Sequence, residues 1–586
     1  MKILSFRHGH DSSASLVIDG EIIADVAEER FSRIKNDTSF PLKAIEFCLK
    51  QGGITPEQLD VIAIPSLHVP PAFFTFFKVP VATVHNVYPK ETKSNNGFFW
   101  KKRKKVAEEE VYIEPLTGVN IPILPLYQKQ FVLSENCKVE LVEHHLAHAA
   151  SACYTSGFNE QGQKALVAIL DGSGDDVSVS LWRFKGGKIS ELKKFGRNAS
   201  LGWFYANATE AMGWRHGSDE WKVMGLAPYG KPKAGALKGF YPEFEEGELV
   251  RPHEYGSFGR WNDHGSNHYH GKDAAPLSKF FEELGPEDFA AEVQRVSEEQ
   301  AFNVIMPWLK KENTRNLICA GGFFHNIKFN QKVWYTRELD FHYVFPNAGD
   351  SGLTIGAALH VHHTSYPNEK VRSLGPFYFG PKYSNDTIGK LLEERGITHQ
   401  YFETITDITA KYLAKNYVVG WFQGRMESGP RALGGRSILM SPLQASNKDI
   451  INQKIKYREK FRPFAPAIPA EKMSDYLINP RPEYYMICSF EVKEEKRKKI
   501  PAVVHEDHTA RPQMVIREFN PRYYDVITAF GEITGEPVVL NTSFNVKGEP
   551  IVCSPREAIK CFYDTGMDVL VLENYMILKD GVEKLF

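Results

Sequence analysis

Cysteine pairs are missing from this chain. Its seven cysteines are scattered, none forms a CxxC pair, and their number is odd. With no N-terminal signal segment, that pattern excludes a disulfide framework and predicts a reducing, cytoplasmic setting. Long apolar runs are missing too. None approaches the roughly 20 residues needed to span a bilayer, so no membrane partner is expected. Neither sign of charge is in excess: 71 Lys and Arg face 72 Asp and Glu, for a net charge of -1. A near-neutral chain offers no broad basic face, which argues against nucleic acid as a partner. The basic run at 101–105 is followed at once by Glu108, Glu109 and Glu110, so it reads as a solvated loop or helix end. No internal repeat is visible.

At 586 residues the chain is too long for one core, so two or more domains are expected. Near its start, 3–6 reads as a strand and 14–18 as another. Asp19-Gly20 is a hairpin turn and 21–24 the return strand. Residues 41–51 read as an amphipathic helix with Ala44, Ile45, Cys48 and Leu49 on one face. A strand at 165–170 ends at Asp171, and 317–320 runs into Gly321-Gly322. Residues 344–346 lead to Gly349-Asp350-Ser351-Gly352 and a helix near Thr354. This recurrence of strand, Gly/Asp loop and helix is the grammar of an α/β nucleotide-binding fold. Residues 66–130 break the pattern and read as an insertion. A turn-rich stretch at 362–378 places a domain boundary near 370, dividing 1–370 from 371–586. Helices at 387–395 and 405–416 and a strand at 417–422 open the second part.

Residues 424–442, GRMESGPRALGGRSILMSP, carry three arginines: Arg425, Arg431 and Arg436. Gly429, Gly434 and Gly435 let backbone amides come close to a ligand. Guanidiniums beside bare N–H groups make a site for a small oxyanion such as phosphate. The alternative is a glycine-rich loop with solvated arginines.

His144 and His148 stand at i and i+4 in a helical-looking stretch, which puts both imidazoles on one face. Position 145 is histidine rather than glutamate, so HExxH protease chemistry is disfavoured. Asp171 and Asp350 sit at loop positions where functional carboxylates gather. Two His and two Asp suit iron(II), manganese or zinc. Spacing alone leaves open that the histidines merely share a face and the aspartates cap helices. His145 lies off that face, as a neighbour behind the ligands. His10, in the first turn, is a candidate contact for phosphate or a reacting group, or a capping histidine. Gly321 and Gly322, with His325 and Asn326 opening a helix, suit nucleotide contact. Lys222 is a candidate phosphate cation or a surface lysine. Ser543 and Asn545, at i and i+2 on an extended segment, point the same way.

Taken in order, SFRHGHDSSASLVIDG, VAEERFSRIKND, EHHLAHAASACY, LDGSGD, KVMGLAPYG, AGGFFHN, PNAGDSGLTIGAA, the arginine motif, KYREKFRPFAPA, HEDHTARPQ and NTSFNVKGEPIVCSP resemble the NodU/CmcH/TobZ-type O-carbamoyltransferases. The resemblance covers both halves. Trp221, Ser428, Gly435 and Cys153 depart from the family pattern, which bears on substrate choice rather than reaction type.

The resemblance implies an N-terminal actin-like, sugar-kinase-type (TsaD-like) ATPase domain and a C-terminal YrdC-like domain. It implies one metal ion on His144, His148, Asp171 and Asp350, with iron(II) preferred. It implies carbamoyl phosphate held by Arg431, Lys456, Arg462, Arg511, Ser543 and Asn545, with His10, Arg431 and Lys456 catalytic. ATP, accompanied by Mg²⁺, would be nucleotide substrate near Lys222, Gly321, Gly322 and Asn326. The acceptor would be a hydroxyl-bearing small molecule, probed by the aromatic insertion (Phe73, Phe74, Phe76, Phe77, Phe98, Phe99, Trp100). A monomer or homodimer is expected. The rival readings are a threonylcarbamoyl-type tRNA-modifying enzyme and a small-molecule kinase on the same ATPase fold.

Overall fold

The hairpin at the start of the chain forms as its residues dictate. Asp19 and Gly20 both take positive φ, 48° and 77°, the turn that matches the twist of paired strands. It joins Ser13–Ile18 to Glu21–Ala27, and Ser13–Ile18 also pairs antiparallel with Lys2–Arg7. The amphipathic helix spans Leu42–Gly52 and buries Ala44, Ile45, Cys48 and Leu49. The computed structural model describes residues 1–70, 72–78, 111–113, 120–122, 131–158, 162–256, 271–459 and 461–586. Most of the expected insertion lies outside them. Of its aromatics, Phe73 and Phe77 are core residues packed on Phe6 rather than ligand-facing rings.

Two five-stranded sheets dominate the first 360 residues. In the first, Lys2–Arg7 pairs antiparallel towards one edge through the hairpin and parallel towards the other with Val61–Ile64, followed by Lys138–Leu141. In the second, Ala165–Gly174 pairs antiparallel with Val177–Lys185, which pairs with Lys188–Gly196. On its other side Ala165–Gly174 runs parallel to Asn316–Ala320, which runs parallel to Phe341–Val344. Order and strand direction are the same in both sheets. This internal duplication is one of topology, without visible repetition of sequence.

Two helices lie between the sheets and against each other. Leu353–Ser365 packs on the first sheet and His144–Thr155 on the second. They approach closely at Gly356, where a Cβ would stand 1.9 Å from the carbonyl oxygen of Ala147. The alanine-rich His144–Thr155 helix allows the same closeness from its side.

The remaining chain builds an eight-stranded mixed sheet. Its order is Gln400–Tyr401, Tyr575–Leu578, Val569–Leu572, Val419–Phe422, Arg436–Met440, Val539–Ser543, Ala465–Pro469 and Gln513–Val515. Tyr485, Met486 and Ile487 leave this region to enter the core of the second sheet. The two halves therefore share packed apolar surface.

Candidate functional site

The strand Ala165–Gly174 does not end at Asp171. It continues to Gly174 with its register broken between Leu170 and Gly174. Such a break re-aims side chains, and here Asp171 meets His144, with Oδ2 3.3 Å from Nε2. His144 Nε2 and His148 Nε2 each lie 3.5 Å from Asp350 Oδ1. The four side chains are buried and their ligand atoms all fall within 4.8 Å of one another. The helix His144–Thr155 supplies both histidines from successive turns, and Asp350 stands just before the helix Leu353–Ser365.

The donor set fits a metal ion. Both ring nitrogens of His148 are buried without a hydrogen-bond partner among the described residues, a costly state unless something else binds them. Gly174 is a cradle for His144: a Cβ there would lie 2.1 Å from the imidazole. Burial opposes charge on His144, but Asp350 and Asp171 outweigh it and lift the pKa to about 9. A metal cation would answer the same two carboxylates.

Asp350 also has an outer side. Its Oδ2 is bound by the Arg7 guanidinium and lies 3.0 Å from His10 Nε2. Burial works against charge on His10, yet Asp350 lifts its pKa to about 9. His10 thus stands at the edge of the histidine–aspartate cluster. Arg7, one residue before the HGH run, was not predicted at this site. Its signal is a basic residue at the end of a buried strand. His145 faces away from the cluster, bonded to Ser180 Oγ at 2.8 Å and to the Val177 carbonyl at 3.0 Å.

Gly321 and Gly322 both pack closely against the interior. Gly321 has φ +99°, and a Cβ would strike the Leu170 carbonyl at 2.2 Å. The Gly322 N–H donates to Asp171 Oδ1 at 3.0 Å, so it helps to hold the metal-facing carboxylate. Asn326 is also committed internally. It caps the helix Ile327–Tyr335 and exchanges side-chain hydrogen bonds with Gln294 at 3.0 and 3.1 Å. Each of these groups therefore has a protein partner already. Lys222 is buried, and it pairs with Asp219 at 3.0 Å and lies 3.7 Å from Glu459.

The arginine motif also divides differently from its reading as three ligands. Arg425 donates to the carbonyls of Gly380, Ile23 and Phe379. Arg436 is fully buried, stacks on Phe422 and donates to main-chain carbonyls that include Gln423 and Pro381. The amides of Leu433, Gly435 and Arg436 all donate to one oxygen of Glu427, at 2.7 to 2.9 Å. That carboxylate fills the nest expected for phosphate. Arg431 alone has no such commitment: its Nε is buried and unpartnered among the described residues.

Arg431 belongs to a group of half-buried cations around the buried Lys456. Burial lowers its pKa to about 10, with Glu483 opposing. Arg511 is pushed well below its ordinary range by burial and by Arg431 and Arg458. Lys456 is pushed down likewise, by burial and by Arg458, Arg462 and Lys35. Lys456 Nζ donates to Asn545 Oδ1 at 2.7 Å and lies 3.3 Å from Ser543 Oγ. The Ser543 hydroxyl donates to Asn545 Oδ1 at 2.7 Å. Lys456, Ser543 and Asn545 therefore converge, with Arg458 and Arg462 as electrostatic neighbours of Lys456, and Arg511 lies under the influence of both Arg458 and Arg431. Like charges crowded out of water destabilise one another unless an anion joins them. Arg458 and Lys35 were absent from the expected site list.

The two groups of side chains are near neighbours. The Arg431 loop docks on the first half through Ser428 Oγ to the Asp25 carbonyl at 3.0 Å and Arg30 to the Gly429 carbonyl at 2.9 Å. Gly429 abuts Asn347, three residues before Asp350. His325 lies between, against Gly349, and burial together with Arg431 lowers its pKa to about 4.

Residues 2–359 match a family model described as Carbamoyltransferase N-terminus, and residues 410–579 match one described as Carbamoyltransferase C-terminus. The uncharacterized protein sll1178 of Synechocystis is 35% identical over 97% of this chain and 95% of its own length. Nodulation protein NolNO of Sinorhizobium fredii is 34% identical over 97% of this chain and 79% of its own. Nodulation protein NolO of Bradyrhizobium diazoefficiens is 35% identical over 75% of this chain and 79% of its own. Among solved structures, component A of (R)-2-hydroxyglutaryl-CoA dehydratase from Acidaminococcus fermentans covers 62% of this chain and 99% of its own, at 12% identity and a TM-score of 0.34. No described helix is long and apolar enough to cross a membrane.

Proposed function

The chain belongs to the carbamoyltransferase family and is a carbamoyltransferase, and from that premise we propose that it works in two ATP-dependent steps at two sites. The first site is the cation group, in a C-terminal YrdC-like domain beyond about residue 370. The second is the histidine–aspartate cluster, in an N-terminal actin-like domain. The observation that carries this reading is the buried Lys456 ammonium converging with Ser543 and Asn545, with Arg458 and Arg462 as its electrostatic neighbours and Arg511 linking Arg458 to Arg431. A dianion with a small amide head suits such a group: cations for the phosphate, a hydroxyl and an amide for the carbamoyl end. The duplicated sheet supports the actin-like part of the reading.

In the first step, Arg431, Lys456 and Arg511 hold the phosphate of carbamoyl phosphate while water cleaves it to carbamate and inorganic phosphate. The carbamate oxygen attacks the α-phosphorus of ATP and pyrophosphate leaves, giving carbamoyl-adenylate. These fixed cations stabilise the developing charge without reorganising. In the second step, a hydroxyl of a small-molecule acceptor attacks the carbamoyl carbon and AMP leaves. His10 contacts the carbamoyl group or its phosphate, and Asp350 and Arg7 hold its ring in place. A divalent ion on His144, His148, Asp171 and Asp350, with iron(II) preferred, would supply Lewis-acid polarisation. The acceptor in this reading is a hydroxyl-bearing small molecule of the natural-product class.

Product analysis tests the reading. With ATP and carbamoyl phosphate the protein should yield pyrophosphate, inorganic phosphate and carbamoyl-adenylate, and AMP once an acceptor hydroxyl is carbamoylated. ADP as the nucleotide product would instead identify a kinase. Activity that requires tRNA as acceptor would restore the tRNA-modifying alternative.

A further inference from the structure

Trp221 carries a contact that the two-step scheme does not use. It stands on the helix Glu220–Leu226 of the first half, and its indole Nε1 donates to the Ser218 carbonyl at 2.8 Å. That bond fixes the ring. The Arg462 guanidinium, from the other half, lies over it with Cζ 3.2 Å from the ring centroid. Around the pair the two halves interlock. Glu459 stands 3.7 Å from Arg462 Nη1 and 3.7 Å from Lys222 Nζ. Phe461 packs beside Gly225 and Tyr229. Lys35 Nζ donates to Ser218 Oγ at 3.0 Å, which ties the Trp221 turn to another cation of the group.

We propose that Trp221 is a positioning residue for the anion site: its indole fixes the plane of the Arg462 guanidinium, so that the first half completes the carbamoyl phosphate pocket of the second. A guanidinium stacked on an aromatic ring uses its face and leaves its N–H edge free to donate. Arg462 Nε is buried and unpartnered among the described residues, as an edge reserved for a ligand requires. Without the indole, the long side chain regains rotamer freedom that binding must remove again. The inference rests on the carbamoyl phosphate reading above.

The test is a double-mutant cycle on pyrophosphate release, with carbamoyl phosphate varied at saturating ATP. Trp221→Ala should raise the KM for carbamoyl phosphate roughly tenfold, the scale of one desolvated cation–π contact. Its kcat and its KM for ATP should stay within about twofold, as expected when only ground-state positioning is lost. Trp221→Phe keeps a stacking face and should stay within about threefold of the parent on every parameter. Arg462→Ala should raise the KM at least as much as Trp221→Ala, and the double variant should be no worse than Arg462→Ala alone. Additive effects, an unchanged KM in Trp221→Ala, or no rescue by phenylalanine would overturn the inference. If the parent protein releases no pyrophosphate, the carbamoyl phosphate reading falls instead. The same cycle is then read from the Kd of inorganic phosphate by calorimetry, and the same pattern of non-additivity decides it.

Discussion

Replacing Arg431 with alanine is expected to cut carbamoyl-phosphate-dependent pyrophosphate release by about 100- to 1000-fold, the scale of losing one preorganised charge-stabilising donor. The same change should leave the protein at least as stable as before. Arg431 is half-buried, with a buried Nε unpartnered among the described residues and Arg511 as an electrostatic neighbour. A cation drawn partly out of water beside another cation costs stability, and its removal relieves that cost. Activity and stability should therefore move apart, which a merely structural arginine would not do. Arg436→Ala supplies the contrast. Arg436 holds several main-chain carbonyls, so its loss should lower the thermal midpoint first. Wild-type pyrophosphate release by Arg431→Ala would remove Arg431 from the site.

Replacing His148 with alanine should abolish metal binding and carbamoylation of any acceptor, yet leave pyrophosphate release within about threefold of the parent. The expectation follows from the geometry. His148 offers two unpartnered buried nitrogens, and its Nε2 faces Asp350 Oδ1. Asp350→Ala should behave alike in metal content, since this carboxylate approaches both histidines. Elemental analysis should find about one ion per chain in the parent, as a four-ligand site holds, and a small fraction of that in either variant. Full occupancy in His148→Ala would show that the ligands are others. A proportional loss of pyrophosphate release would show that the two steps are not separable.

Much of the metal cluster was legible because helical spacing is rigid. Histidines at i and i+4 share a face wherever the helix is placed. The break that turns Asp171 towards them was not legible, since a strand's register depends on its neighbour. The arginine motif was legible as chemistry and misread as geometry. Arg425 and Arg436 find carbonyl partners at Ile23, Phe379, Gly380 and Pro381, a pairing no local pattern encodes. Glu427 was the available clue, an acid inside a motif otherwise taken as an anion site. Gly321 and Gly322 show a related limit. A glycine that permits close approach does not say what approaches, and here it is Leu170 and Asp171. The duplicated sheets stayed hidden because alternating apolar residues specify strands, not their order.

The two sites lie close: Gly429 of the Arg431 loop touches Asn347, and His325 stands between the Arg431 guanidinium and the metal-facing side chains. A carbamoyl-adenylate released into water would be lost to hydrolysis, and enclosing a reactive intermediate is a use of such proximity. Both steps are therefore expected to run within one chain. The direct measurement mixes Arg431→Ala, competent only in transfer, with His148→Ala, competent only in adenylation, and follows acceptor carbamoylation at equal total protein. The mixture should stay as inactive as either variant alone. Recovery of a large fraction of the parent rate would contradict it, because the intermediate would then be crossing freely between molecules.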